Sequence, residues 1–275
     1  MYWLKKVGFL LICVVLTCLL TKFVLVKEEV SQIQDFSSRI ETFRHFQLDP
    51  DMIQEIMAHE NDWQRCLALN YLYDGERLNR DGFISKGSWF QMMLPNTLLE
   101  DYRKGMELVL ADATIFPVPI DETSGYTISY EQSWQMPRSY GGNRTHEGCD
   151  LMPSVKEAGY FPVQSVSAGT VEKIGWLTLG GNRVGVRSPS GTFFYYAHLD
   201  SYAHGLKVGD TVVPGQTLGQ MGDSGYGPEG TVGQFPTHLH FGIYIPWKGT
   251  DISVNPYCVL KSIEKNRNSF RQNGA

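Results

Sequence analysis

His238-Leu239-His240-Phe241-Gly242-Ile243-Tyr244-Ile245 reads as a β-strand with two unlike faces. Side chains two apart on a strand point the same way. The imidazoles of His238 and His240 therefore share one side, and Leu239, Phe241 and Ile243 share the other, buried one. Two histidines on one strand face are more often ordinary surface residues, so the pair gains meaning from its company. Upstream stand His146-Glu147-Gly148-Cys149-Asp150 and Tyr196-Ala197-His198. Two histidines and a carboxylate suit a zinc site with one position left open for water. Two further histidines beside such a set point to metal-assisted hydrolysis rather than metal storage.

His146 and Asp150 are four apart, which on a fully extended strand is about 13 Å and too far to share one ion. Gly148 between them permits a bend or bulge that closes the gap. Glu147 invites reading as part of a His-Glu-x-x-His helix, but Asp150 stands where the second histidine belongs and Gly148 is poor in a helix. Glu147 is therefore expected to face away from the metal. Cys149 has the opposite strand parity to His146 and Asp150, which favours a small buried core residue over a thiolate ligand.

The rest of the C-terminal half has the same β texture. After Phe116-Pro117-Val118-Pro119 glycine becomes frequent. Tyr126–Tyr130, Gly169–Ile174, Arg183–Arg187, Thr192–His198 and Thr211–Leu218 join His238–Ile245 as expected strands. Short strands at close spacing argue an all-β domain, with hairpin turns expected at residues 188–191 and 205–210. The N-terminal half reads as helical. Val30, Ile33, Phe36, Ile40 and Phe43 recur at steps of three and four, which predicts one helix over residues 28–48. Asp49-Pro50 then reads as a cap and first helical residue. The helix it opens should run to about Tyr73, where Asp74-Gly75 ends it, and another is expected from Pro95 to about Leu110. The tail from about Glu264 is polar and expected to fray.

Bulk properties narrow the class. Of 275 residues, 42% are hydrophobic and 19% charged, a globular composition with ample sequence for a core. The formal net charge is -5 and no basic block exceeds two residues, so nucleic acid is not an expected partner. Lys5 and Lys6 precede an apolar run from Val7 to Val26 broken only by Lys22. About twenty such residues cross a bilayer as a helix. Lys22 lies near the far end, where its amine can snorkel, and Tyr2 and Trp3 sit where an aromatic belt would be. A cleaved signal peptide is the competing reading. Val24-Leu25-Val26-Lys27 is a poor cleavage site, and Thr17 with the following leucines makes Cys18 a poor lipoprotein site. The run is therefore read as an uncleaved anchor through residues 7–26. The paired lysines favour the N-terminus inside and the body outside, although Lys27 lessens the asymmetry. Cys66, Cys149 and Cys258 in the exported part form no disulfide framework, and a single bridge is left open.

Gly142-x-x-x-His146-x-x-x-Asp150, the Tyr196-Ala197-His198-Leu199 stretch and His238-x-His240 together resemble the lysostaphin/LytM-type zinc endopeptidases of bacterial cell walls. Ser167-Ala168-Gly169-Thr170-Val171, Val208-Gly209-Asp210 and Gly222-Asp223-Ser224-Gly225 are similar to the same family. The resemblance covers about residues 113–260 and leaves residues 1–112 outside it. It implies a mainly β peptidase domain, an antiparallel sheet with a substrate groove; the apolar run and helical periodicity place a transmembrane helix and a small α-helical region before it. It implies that His146, Asp150 and His240 ligate one Zn2+ per chain, with water in the fourth position. His198 and His238 would be the catalytic histidines, moving the proton and stabilising the oxyanion, their roles not divided by sequence. Tyr140 matches a tyrosine that some members place beside the zinc.

The organisation expected is a transmembrane anchor over 1–27, a helical stalk or regulatory region over 28–112 and a zinc endopeptidase domain over 113–262. A polar tail follows over 263–275. The substrate implied is the cross-linking peptide of peptidoglycan, met by an extracytoplasmic domain on a single-pass bacterial membrane protein. Residues 28–112 are free to dock a protein partner. Two rivals remain. One is a non-hydrolytic scaffold or activator in an extracytoplasmic cell-wall, division or sporulation complex, against which stands the full set of five histidine and aspartate positions. The other is a zinc- or carbohydrate-binding module, which has no need of His198 and His238.

Overall fold

Leu239, Phe241 and Ile243 are fully buried beneath the sheet, and this face sets the architecture. A computed structural model describes residues 2–33, 35–75, 89–139 and 142–271. Among the described residues six helices come first: α1 (Tyr2–Gln32), α2 (Ile40–His45), α3 (Pro50–His59), α4 (Trp63–Tyr73), α5 (Trp89–Met93) and α6 (Asn96–Leu110). The chain then turns to β-structure: β1 (Ile120–Asp121), β2 (Ile128–Ser129), β3 (Pro137–Arg138), β4 (Arg144–Thr145), β5 (Cys149–Pro153), β6 (Pro162–Gln164) and β7 (Gly169–Leu177). It continues through β8 (Gly181–Arg187), β9 (Phe193–Tyr202), β10 (Thr211–Val212), β11 (Thr217–Met221), β12 (Leu239–Trp247) and β13 (Thr250–Val254), then α7 (Tyr257–Ile263) and β14 (Ser269–Phe270).

The main sheet is antiparallel, in the order β10-β7-β8-β9-β12-β5-β2, with β11 on β9 and β6 and with β13 on β12. His240 lies opposite Asp150 on one side and Ala197 on the other. Beneath it, Leu239 and Phe241 join Leu151, Val184, Val186, Phe194 and Tyr196, all fully buried. Each such side chain is worth roughly 1.5–3 kcal/mol. A one-residue slip of β12 would exchange the apolar set for His238 and His240. Three misplaced side chains rival a domain's whole net stability of roughly 5–15 kcal/mol, so the apolar face holds the histidines in register.

Several elements differ from the sequence reading, each for a local reason. The helix expected over 28–48 is two helices: α1 stops at Gln32 and α2 starts at Ile40. Between them the Asp35 carboxylate accepts from the Ser38 backbone N–H at 3.0 Å, an Asx-type turn that competes with helix. The periodic apolar residues still face inward. Phe36 packs edge-to-face on Phe43, Tyr102 and Trp247. The helix from Asp49 is likewise split at residues 60–62, although Asp49 caps α3 as expected, accepting from the N–H groups of Asp51 and Met52. The strand expected over 211–218 is broken into β10 and β11 around Pro214-Gly215, where Gly215 has φ 80°. The turn at 205–210 joins β9 to β10, which do not pair, whereas the turn at 188–191 does close a hairpin between β8 and β9. The tail is tied down as far as Phe270, because β14 pairs in parallel with β1 and the Phe270 ring packs on Phe161.

The helices and the sheet share one apolar core. Arg44 and His45 of α2 accept through their carbonyls from Asn255, and the Thr192 hydroxyl donates to the Leu108 carbonyl. The stretch Lys6–Gln32 of α1 is long and apolar enough to cross a membrane, with no part of its apolar window buried in the protein.

Candidate active site

β12 delivers His240, β5 delivers Asp150, and the bend between β4 and β5 delivers His146. His146 precedes the strand rather than lying in it, so the 13 Å extended separation never arises. His146 Nε2 is 3.0 Å from Asp150 Oδ1, His240 Nδ1 is 3.1 Å from the same oxygen, and the two ring nitrogens are 3.0 Å apart. A Cβ on Gly148 would fall 2.5 Å from His240 Cε1 and 2.6 Å from its Nε2. Glycine there lets the His240 ring lie against the bend.

This triangle fits a zinc ion. Four ligands at 2.0–2.1 Å in a tetrahedron stand about 3.3 Å apart, close to the three observed edges. The His146 Nδ1–H donates to the Ser133 carbonyl at 3.1 Å, which leaves Nε2 with its lone pair toward the centre. Two lone pairs and a carboxylate oxygen facing one point are repulsive without a cation between them. Arg138 Nη2 donates to the second carboxylate oxygen, Asp150 Oδ2, at 2.5 Å. That contact orients Asp150 so that Oδ1 faces the histidines.

His238 and His198 flank the triangle. The His238 Nδ1–H donates to the Pro236 carbonyl at 2.7 Å, and the His198 Nδ1–H donates to the Ser224 carbonyl at 2.8 Å. Each is thereby left with a basic Nε2. His238 Nε2 lies 3.7 Å from Asp150 Oδ1, and the rings of His198 and His238 are 4.7 Å apart. Burial pushes His198 well below the ordinary histidine value of 6.5, with His238 and His240 adding to the effect. Burial also lowers His238, and Asp150 opposes it. For Asp150, burial raises the carboxyl, but the His146 and His240 rings closing on it outweigh burial and hold it below the usual carboxylate range. The site thus combines an ionised carboxylate with the neutral imidazoles of His198, His238 and His240.

His198 reaches the site by an unusual route. It has the strand parity of Tyr196, which is fully buried on the core side. Its φ of 64° is left-handed, a conformation costly for a non-glycine residue and found where a surrounding network enforces it. Here that network is its own N–H to the Gly180 carbonyl and its ring to Ser224. The kink swings the imidazole onto the groove side.

The groove around these residues has a volume of about 990 Å³. Tyr195, Phe193 and Tyr244 pave it, and Phe235 packs on the rings of His198 and His238. A Cβ at Gly185 would overlap the Phe193 ring at 2.0 Å, so this position keeps the floor shallow. Glu147 turns from the triangle to Arg44 of α2 at 2.9 Å. Cys149 is buried with its thiol donating to the Glu131 carbonyl, and Cys66, Cys149 and Cys258 are free thiols. Tyr140 lies outside the described residues. The sequence reading missed Arg138 and the carbonyls of Ser133, Ser224 and Pro236. None carries a local signature, since backbone carbonyls are chosen by the fold alone.

Sheet and site together define a metallopeptidase domain. Residues 144–256 match peptidase family M23. A crystal structure assigned as glycyl-glycine endopeptidase lytM from Ruminococcus gnavus ATCC 29149 aligns at TM-score 0.71 and 40% identity, covering 84% of this chain and 93% of that one. The L-Ala–D-Glu endopeptidase of Bacillus subtilis (strain 168) is 44% identical over 151 residues, 54% of this chain and 44% of the relative. Lysostaphin of Staphylococcus staphylolyticus is 31% identical over 119 residues, 42% of this chain and 22% of the relative. The chain belongs to peptidase family M23, whose members related to it are zinc metallopeptidases. It spans less than half the length of these curated relatives.

Proposed function

We propose that the protein is a membrane-anchored, extracytoplasmic zinc endopeptidase that hydrolyses peptide bonds in peptidoglycan cross-links. The observation that carries this is the triangle of His146 Nε2, Asp150 Oδ1 and His240 Nδ1 beside two imidazoles whose Nδ1 atoms are already committed to carbonyls. These three residues would hold the zinc, which supplies a water of near-neutral pKa and polarises the scissile carbonyl. His238 is the better-placed base of the two flanking histidines, its Nε2 lying 3.7 Å from Asp150 Oδ1. It would take the proton from the attacking water and return it to the leaving amine. His198, behind it, would hold the developing oxyanion. By its place in the motif, Tyr140 is a further catalytic candidate.

The anchor reading rests on Lys6–Gln32. Residues 1–27 would tether the protein, 28–112 would dock a partner or brace the domain, 113–262 would carry the peptidase and 263–275 the tail. The relatives' names give two bonds, L-Ala–D-Glu and glycyl–glycine, both in peptides of neutral or acidic character. The test is to load the full chain with zinc and incubate it with peptidoglycan of several wall types. New amine termini by mass spectrometry, absent with Asp150→Ala, are the expected result. One equivalent of bound zinc with no new terminus on any wall would replace this reading by the scaffold.

A further inference from the structure

Strand β8 presents two arginines on its groove side, with Val184 and Val186 buried opposite them. Their surroundings differ completely. Arg187 is matched by Glu172 at 2.6 Å and Asp251 at 2.7 Å, and these pairs raise its pKa further above the ordinary value. Arg183 has no ion pair with any described residue, and its Nε–H is buried without a hydrogen-bond partner. An unmatched buried donor costs about 1–3 kcal/mol or more, and such groups in a folded protein call for an explanation.

The groove explains it. Its four carboxylates are all engaged: Glu147 with Arg44, Glu172 and Asp251 with Arg187, and Asp150 with Arg138 and the histidines. Arg183, with the exposed Lys173 diagonal to it on β7, leaves the β8 side of the groove positive. The register places Arg183 in line with the centre. It lies between the partners of Tyr196 and Leu199 on β9, and Ala197 there faces His240 on β12. Two strand spacings put it roughly 10 Å from His240. At 3.3–3.6 Å per residue that is about three residues of extended peptide, a gap that the long arginine side chain lining the groove shortens.

We propose that Arg183 binds a free carboxylate of the substrate peptide, so that the groove selects an acidic wall peptide over its neutral counterpart. A guanidinium offers Nε–H and Nη–H as a fork that matches a carboxylate's two oxygens. The unmatched Nε–H is then satisfied only in the complex. The inference rests on the endopeptidase reading for its substrate, but not for its test.

The experiment compares two synthetic wall peptides, one with a free glutamyl α-carboxylate beside the scissile bond and one amidated there. The zinc-loaded full chain should favour the acid by about tenfold to a hundredfold in kcat/KM. The gain should appear in KM, as expected for a contact present before the transition state. Arg183→Gln should erase the ratio and Arg183→Lys should keep part of it. Each variant is its own control, since a merely destabilised protein loses both substrates alike. Binding of the two peptides to the His238→Ala chain by calorimetry repeats the comparison without turnover. Tighter binding of the acid, lost in Arg183→Gln, sustains the carboxylate site even if nothing is cleaved, and that failure then falls on the endopeptidase reading alone. Equal affinities, no binding of either peptide, or a preference that survives Arg183→Gln overturns the proposal.

Discussion

In the helical region, Phe36, Phe43, Phe46, Tyr71 and Tyr102 pack ring on ring with almost no exposure. In the groove, by contrast, the side chains of the site are aimed by single outer polar contacts: Ser133 for His146, Ser224 for His198, Pro236 for His238 and Arg138 for Asp150. The first kind of construction is strong because many weak contacts add up, and a small shift costs little. The second is exact in direction and unforgiving of displacement. The molecule places its stability in one region and its geometry in the other. They meet where Arg44 of α2 donates to Glu147 and to the Ser253 carbonyl.

The largest effects should come from the groove. Asp150→Ala should abolish zinc binding and all turnover, read by metal analysis and by peptide cleavage. His238→Ala should keep the zinc while turnover falls by about 10²–10⁴, the usual worth of a positioned base. Full activity in that variant removes His238 from the mechanism. Its protonation has a sign that can be checked. Burial lowers both His238 and His198 below 6.5, so both are neutral near pH 7. Protonation as pH falls disables the base, and kcat/KM should decline below 6.5 while staying level from about pH 7 to 8. An acid limb centred above pH 7 contradicts the assignment.

Phe43→Ala probes the other construction. Removing a fully buried ring at the centre of the aromatic set should cost about 3–5 kcal/mol in denaturant unfolding. Zinc affinity of the folded fraction should be unchanged. A loss of zinc affinity comparable to that in a groove variant would show that the two regions are not separable.

Arg138→Ala is the intermediate case. It leaves every proposed ligand in place and frees Asp150 Oδ2, so zinc affinity should drop about 10–100-fold, the usual weight of an outer contact to a ligand. Competition with a chelator measures this directly, and an unchanged affinity means Asp150 is oriented by its strand alone.

The contrast also explains what could be read in advance. Strand parity and apolar matching are local, so the shared face of His238 and His240 and the buried side of Cys149 were legible from residue order. The bend at Gly148 was legible because only that residue tolerates it. His198 was recognised through its motif, yet its parity alone would have sent it into the core. The left-handed φ that rescues it is set by contacts to Gly180 and Ser224, distant in sequence. The break at residues 33–39 was hidden because the apolar period runs through it and the contacts agree with that period. β5 and β13 are short and carry Cys149, Pro153 and Asp251, so their composition never looked like strand. Arg183 was within reach: Asn182-Arg183-Val184-Gly185-Val186-Arg187 alternates, but its lack of an ion partner among the described residues is a fact of three dimensions.

Arg44 gives the smallest effect and the sharpest test of the comparison, because it joins the aromatic region to the bend that carries His146. The Glu147 side chain is 45% exposed and that of Arg44 15% exposed, so solvent screens much of their attraction. A pair of this kind contributes about 0–1 kcal/mol. Arg44→Gln keeps a long polar side chain in place while removing the charge. Unfolding free energy should therefore change by less than about 1 kcal/mol. Glu147 directly follows His146, so any slackening passes to the bend first, and zinc affinity should fall by a few-fold at most. A drop as large as that of Arg138→Ala would make the helical region part of the metal site's support. An unchanged affinity with unchanged stability would make the ion pair incidental and leave the aromatic core as the joint between the two regions.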